Sequence, residues 1–137
     1  MTVVLDLNVL IDVLQERQPH VHASSEVLSL FLKRKINVRM AAHAVTTLHY
    51  VMAKHSSREK AGETVDWLLA RFQILPVGTD ELRRARSLRM PDFEDAVVAV
   101  LAESARATYI VTRNVGDFRG SPVPAITPEE LLSRLAK

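Results

Sequence analysis

Val3-Val4-Leu5-Asp6-Leu7-Asn8-Val9-Leu10-Ile11-Asp12, residues 3–12, is the stretch that decides the fold. Val3 to Asp6 predicts a buried strand, and Val9, Leu10, Val13 and Leu14 then recur at helical spacing in a short helix that ends before Pro19. The turn between them is very tight, so a carboxylate, Asp6, stands where a buried strand stops and a helix starts. Two other acidic stations occupy similar joints. Asp92-Phe93-Glu94-Asp95 heads an apolar helix, and Asn114-Val115-Gly116-Asp117 follows the strand-like run Tyr109-Ile110-Val111-Thr112.

The same alternation continues outward from this start. A helix is expected from about His20 to Lys35, with Val27, Leu28, Phe31 and Leu32 inward and Lys33-Arg34-Lys35 in its last turn, where cations suit the helix dipole. Ile36 to Ala41 alternates as a strand. A helix with Val45, Leu48, Val51 and Met52 on one stripe follows, then a second over 57–72 capped by Ser56 or Ser57. Gln73 to Val77 is a short strand, and Thr79 is expected to cap a helix carrying Leu82, Ala85 and Leu88 inward. Glu94 to Ala107 is apolar through Ala96-Val97-Val98-Ala99-Val100-Leu101-Ala102 and predicts a central, buried helix. Tyr109 to Thr112 and Ala125-Ile126 supply further strands, and Pro128 opens a last helix that runs to Leu135. Strands alternating with helices imply one α/β domain spanning 1–137, a three-layer α/β/α sandwich around a mainly parallel sheet of four to five strands. In such a sheet ligands bind beyond the carboxyl ends of the strands, and Asp6 and Asn114 both fall there.

The composition narrows the chemistry. With 137 residues and 47% hydrophobic content, the chain suits a single core burying roughly 70% of its unfolded surface. It has no cysteine, which excludes disulfides, thiolate nucleophiles and thiolate zinc sites and fits a reducing cytoplasm. Neither a secretory signal nor an 18-residue apolar run is expected, so the predicted setting is cytoplasmic with no membrane contact. Net charge is only +2, yet thirteen of the 18 basic residues are arginine, whose planar fork matches phosphate. That permits a nucleic-acid partner.

Carboxylates converging on one pocket repel unless they are protonated or share a cation. An all-oxygen donor set favours Mg²⁺ or Mn²⁺, ions suited to phosphodiester hydrolysis. Each acid also has a simpler role open to it. Asp92 suits an N-cap with Asp95 three residues on, Asp117 beside Gly116 suits a turn, and Asp12 suits a surface or supporting position. Asp6 is harder to explain without a partner. Thr46, Thr47 and His49 are candidates to face the pocket, although Thr46 and Thr47 can instead bond a preceding carbonyl. The histidines show no metal-ligand spacing, and Tyr50, Trp67 and Phe72 are read as packing residues. Arg83, Arg84, Arg86 and Arg89 form either a solvated face or a strip that tracks phosphates. Arg113, just beyond a strand, is placed to hold a phosphate or to pair with an acid. Phosphatases that use an aspartate after their first strand require an acid two residues on, where this chain has Asn8.

The segments 4–12, 92–96 and 110–118 together resemble the PIN domain family, metal-dependent nucleases that include VapC-type toxins, and the likeness covers nearly the whole chain. The resemblance implies a Mg²⁺- or Mn²⁺-dependent endoribonuclease with Asp6, Asp95, Asn114 and Asp117 as the catalytic set and Asp6, Asp95 and Asp117 on the metal. It makes Asn8, Thr47, Asp92 and Arg113 supporting residues. It further implies RNA as substrate, a small antitoxin protein that blocks the pocket, and a homodimer. Two positions depart from the pattern. Thr47 falls where the family usually has a glutamate in the third helix, and Leu7 replaces a hydroxyl residue common after the first acid. The departure at Thr47 motivates the alternative, a catalytically weakened PIN-like module that binds RNA or protein.

Overall fold

β1 (Thr2–Leu5) lies at the centre of a five-stranded sheet, in agreement with its unbroken apolar sequence. The computed structural model describes residues 1–136, and Lys137, the last position of the expected 1–137 span, lies outside the described residues. The remaining strands are β2 (Asn37–Ala41), β3 (Gln73–Leu75), β4 (Tyr109–Val111) and β5 (Ala125–Ile126). Their order is β3-β2-β1-β4-β5 and every pairing is parallel. The expected mainly parallel sheet of four to five strands is therefore five-stranded and wholly parallel.

Helices α1 (Leu7–Leu14), α2 (Val21–Leu32), α3 (Ala42–His55), α4 (Arg58–Arg71), α5 (Thr79–Ser87), α6 (Phe93–Ser104) and α7 (Pro128–Leu135) complete an α/β/α sandwich. A 3₁₀ turn, Val115–Phe118, follows β4. α1 packs on α2 and α3, α3 on α4, and α7 on α2, whereas α5 and α6 form a separate pair with α6 against β1 and β4. The predicted central helix is α6: Ala96 through Ala102 are all buried. Val97, Val98, Val100 and Leu101 each contribute about 1.5–3 kcal/mol by leaving water.

From β1 the chain winds outward through β2 to β3, then returns across the sheet to β4 on the other side of β1. The crevice outside the carboxyl ends of β1 and β4 is thus the topological switch point, the place where such sheets bind ligands. Register strengthens the point. Val3, Val4 and Leu5 pair with Tyr109, Ile110 and Val111, so one further step brings Asp6 beside Thr112.

Local details separate the expected caps from those formed. Ser57 caps α4 by accepting the Lys60 N–H, and Thr127 caps α7 reciprocally with Glu130, behind which Pro128 takes the first turn. Thr79 does not cap α5. Gly78 is the cap residue, and its N–H is held by the Glu81 carboxylate at 2.7 Å. Lys33-Arg34-Lys35 lies past the end of α2 rather than in its last turn, because Arg34 adopts a left-handed conformation at φ 59°. On α1 the deeply buried run is Val9 to Asp12, with Leu14 partly exposed. Trp67 and Phe72 pack as expected, Phe72 stacking on Phe31 at 4.4 Å, but Tyr50 is 59% exposed beneath Lys54.

Candidate functional site

The acidic cleft is built on the junction of β1 and β4. Asp6 takes the cap position of α1 with extended backbone, yet its side chain makes no capping hydrogen bond to the helix. It instead accepts the Thr112 hydroxyl at 2.7 Å. Thr112 is completely buried, and its oxygen accepts the Asn114 N–H at 3.1 Å and the Asn8 side-chain amide at 3.5 Å. One hydroxyl thereby uses its single donor and both acceptor sites. Asn8 Oδ1 accepts the Arg113 N–H at 3.3 Å, which joins the start of α1 to the segment after β4.

The opposite wall comes from α3 and α6. A small cleft of about 30 Å³ is bounded by Asp6, His43, Thr47, Glu94 and Asp95. α6 delivers Asp95 because Asp92, its N-cap, accepts the Asp95 N–H at 2.9 Å. Asp92 is thus engaged in starting the helix, as its spacing allowed. Thr46 and Thr47 both donate their hydroxyls to the His43 carbonyl, at 2.9 and 3.1 Å, so Thr47 faces the cleft with its hydrogen already committed. His43 Nε2 lies 3.3 Å from the Glu94 carbonyl oxygen and closes the space between the two helices.

Electrostatics show how closely the acids are coupled. Burial pushes the Asp95 carboxyl up to about 7, and the charges of Asp6, Asp92, Asp117 and Glu94 act in the same direction. Burial also raises Asp6. The Thr112 hydrogen bond opposes that rise and the Asp117 charge adds to it. Asp117, although exposed on the 3₁₀ turn, is therefore sensed by both cleft acids.

The structure thus brings Asp6, Asp95 and Thr47 together, with Asp117 outside the lining but acting on both acids through its charge. Asn8 stands behind Asp6 and Asp92 behind Asp95. Asn114 is tied in through its backbone N–H, its side chain being exposed. Arg113 points elsewhere: its Nε is 3.2 Å from Asp12, an acid outside the cleft. Asp12 is completely buried, which excludes the surface position open to it in the sequence. Sequence reasoning missed Thr112 and His43. The signal for Thr112 was a polar residue ending an apolar strand, and its importance depends on the β1–β4 pairing.

The donor chemistry suits a hard divalent cation, since apart from the His43 ring the polar groups lining the cleft, carboxylates and the Thr47 hydroxyl, supply oxygen. Among the described residues no three acids or histidines stand close enough to chelate an ion directly. Mg²⁺ does not require such a cage: it is commonly held by one or two carboxylates and keeps several waters. Asp6 and Asp95 supply two such carboxylates, and both are shifted upward first by burial and then by neighbouring acid charge, a penalty on the charged forms that a cation relieves.

Fold and site define a doubly wound parallel α/β protein with an acidic cleft at its switch point. The chain belongs to the PIN domain family, whose pattern it matches over residues 2–116. Ribonuclease VapC1 of Aquifex aeolicus (strain VF5) is 26% identical over 137 residues, covering 96% of this chain and 94% of that protein. Similar solved structures include VapBC2 from Rickettsia felis bound to a promoter DNA fragment, with TM-score 0.72 and 19% identity over 93% of this chain and 98% of the other. A toxin–antitoxin complex from Klebsiella pneumoniae matches with TM-score 0.70 and 21% identity, covering 92% and 97%. Among the described residues no helix is long and apolar enough to cross a membrane.

Proposed function

We propose that this chain, as a single PIN domain over 1–137, is a Mg²⁺- or Mn²⁺-dependent endoribonuclease that hydrolyses RNA phosphodiester bonds and is held in check by a small antitoxin protein. The observation that carries this reading is the convergence of Asp6 and Asp95 in one cleft, with Asp117 electrostatically coupled to both. Asp6 and Asp95 hold the cation, and Asp117 and Asn114 complete or orient its oxygen shell. When bound, such an ion supplies Lewis acidity at a phosphate oxygen and acidifies water. Thr112 fixes the Asp6 carboxylate, Asn8 and Arg113 brace that arrangement, and Asp92 sets the start of α6. Thr47 contributes a neutral oxygen where a further carboxylate would strengthen the site.

The partner side of the reading rests on a different surface. Leu10, Leu14, Leu28 and Trp67, with Glu63 and Thr64 at its edge, line a mainly apolar cavity of about 330 Å³ between α1, α2 and α4. Its shape suits the apolar face of an amphipathic segment, and the likeness to a toxin–antitoxin complex supports an antitoxin as its occupant. Tyr50, Leu82 and Phe93 leave apolar surface exposed on α3, α5 and α6, which supports a homodimer. The absence of cysteine agrees with a cytoplasmic setting.

The decisive experiment incubates the purified chain with a structured RNA in Mn²⁺, Mg²⁺ or EDTA. Cleavage is expected with either ion, none with EDTA, and almost none from Asp6→Asn. RNA that is bound under every condition and never cut favours the second reading, a weakened PIN-like module that binds RNA or protein. The neutral Thr47, with its hydrogen donated to the His43 carbonyl, is the observation that sustains that reading.

A further inference from the structure

The segment after β4 is held by α1 at two points, and only one of them belongs to the acidic cleft. At the start of the helix, Asp6 and Asn8 grip Thr112 and the Arg113 backbone. One turn beyond Asn8, Asp12 Oδ2 lies 3.2 Å from the Arg113 side-chain Nε. Consecutive residues, 112 and 113, are therefore anchored at two places on α1 about one turn, or about 6 Å, apart.

The second anchor is unusual in its chemistry. Asp12 is completely buried, and neither carboxylate oxygen has a hydrogen-bond partner among the described residues. Burial raises its carboxyl, and the Arg113 guanidinium provides the largest opposing effect, ahead of His20 and Arg17. Arg113 is itself three-quarters covered. It borders a cavity of about 280 Å³ shared with His20, Ser24 and Glu129, on the α2–α7 side of the molecule. A buried ion pair of this kind adds little net stability compared with apolar residues of the same volume. What it does supply is a fixed distance between two elements.

We infer that Asp12 and Arg113 are positioning residues: their buried ion pair pins the segment Thr112–Phe118 to α1 and so sets where Asn114 and Asp117 stand relative to Asp6 and Asp95. The link to Asn114 and Asp117 rests on reading the cleft as a metal centre; the pinning itself does not. Arg113 is thereby committed inward and is not available to hold a phosphate. The pair acts on the cleft through the backbone, since Arg113 is the residue between Thr112, which bonds Asp6, and Asn114, whose N–H bonds Thr112.

The test uses the full chain with Asp12→Leu and Arg113→Met combined, an apolar pair that leaves no unpaired buried charge. The melting temperature is expected to change by only a few degrees. Amide hydrogen exchange across Asn114–Phe118 is expected to quicken at least about tenfold relative to β1 and α6, and Mn²⁺ affinity measured by calorimetry without RNA to fall about tenfold. A folded double variant with unchanged exchange at 114–118 overturns the proposal, as does faster exchange with unaltered Mn²⁺ affinity. If the double variant does not fold, Arg113→Lys is read the same way, because it keeps a charge for Asp12 but loses the guanidinium's shape. Should the unaltered chain bind no Mn²⁺, the metal reading fails by itself, and exchange at 114–118 alone decides whether the pair pins the segment.

Discussion

The two walls of the acidic cleft are built on opposite principles. On the β1–β4 wall, Thr112 is sealed from water and spends all three of its hydrogen-bonding sites to hold Asp6, Asn8 and Asn114 in one arrangement. On the α3 wall, Thr47 and His43 face the cleft with their polar groups turned to backbone carbonyls, Thr47 to His43 and His43 to Glu94. One wall is organised toward the cleft, whereas on the other the hydrogen bonds made run to the protein's own backbone and the buried His43 Nδ1 has no partner among the described residues. On the proposed reading the cation is held at the β1–β4 junction, with α6 contributing Asp95 from across the gap.

The largest expected effect comes from the organised wall. Asp6→Asn should reduce RNA cleavage by more than about 100-fold, beyond the 10–100-fold usual for loss of an outer partner, as measured by single-turnover cleavage in Mn²⁺. Thr112→Val should follow. It keeps the volume but leaves the Asn114 N–H and the Asp6 carboxylate without their buried partner, so Mn²⁺ affinity should drop about 10–100-fold. Stability should fall by about 1–3 kcal/mol in urea unfolding. If Thr112→Val matches the unaltered chain in both, the two walls are not different in the way described.

That contrast also explains what was legible beforehand. The strand and helix alternation follows from local periodicity, and the acidic stations follow from carboxylates at the joints that begin or follow apolar runs, so fold and acids could be read from Val3–Asp12, Asp92–Asp95 and Tyr109–Asp117. Thr112 could not be weighed, because its partner Asp6 is 106 residues away and only the parallel β1–β4 register joins them. The choice between a surface and a supporting position for Asp12 stayed open for the same reason. Its burial depends on Arg113 and on α2 and α7 closing over it, none of which is visible in the spacing of α1. Thr79 lost the cap of α5 to Gly78 because Glu81 reaches back to the Gly78 N–H, a competition between neighbours that residue preference alone does not resolve.

The α3 wall offers a change in the other direction. Thr47→Glu places a third carboxylate in the cleft and removes a hydroxyl whose acceptor is already part of a helix. Mn²⁺ affinity should rise about tenfold, or about 1.4 kcal/mol, since oxygen sites are tuned by the number of charged ligands. The same substitution should lower the melting temperature in EDTA, where the added charge faces Asp6 and Asp95 without a counter-ion. An unchanged Mn²⁺ affinity would mean that the α3 wall stands too far back to reach the ion.

An effect of similar size is a pH dependence of folding, and its sign follows from Asp95. Its carboxyl, ordinarily near 3.8, is pushed up to about 7 in the folded chain by burial and by Asp6, Asp92, Asp117 and Glu94. Between these values the folded state binds more protons than the unfolded state, so stability is fullest below about pH 4 as far as this group is concerned and declines as pH rises toward 7. Asp6 is shifted the same way and adds to the trend. Because Asp95 is partly open to solvent, the loss should be about 1–2 kcal/mol, read as the difference between urea unfolding at pH 4.5 and at pH 7.5 in EDTA. Asp95→Asn should flatten the profile. Mn²⁺ should reverse it, because a cation competes with the proton for the same oxygens and binds more strongly as the proton leaves. A profile that falls equally in EDTA and Mn²⁺ would place the pH dependence outside the cleft and leave its two walls electrostatically indistinguishable.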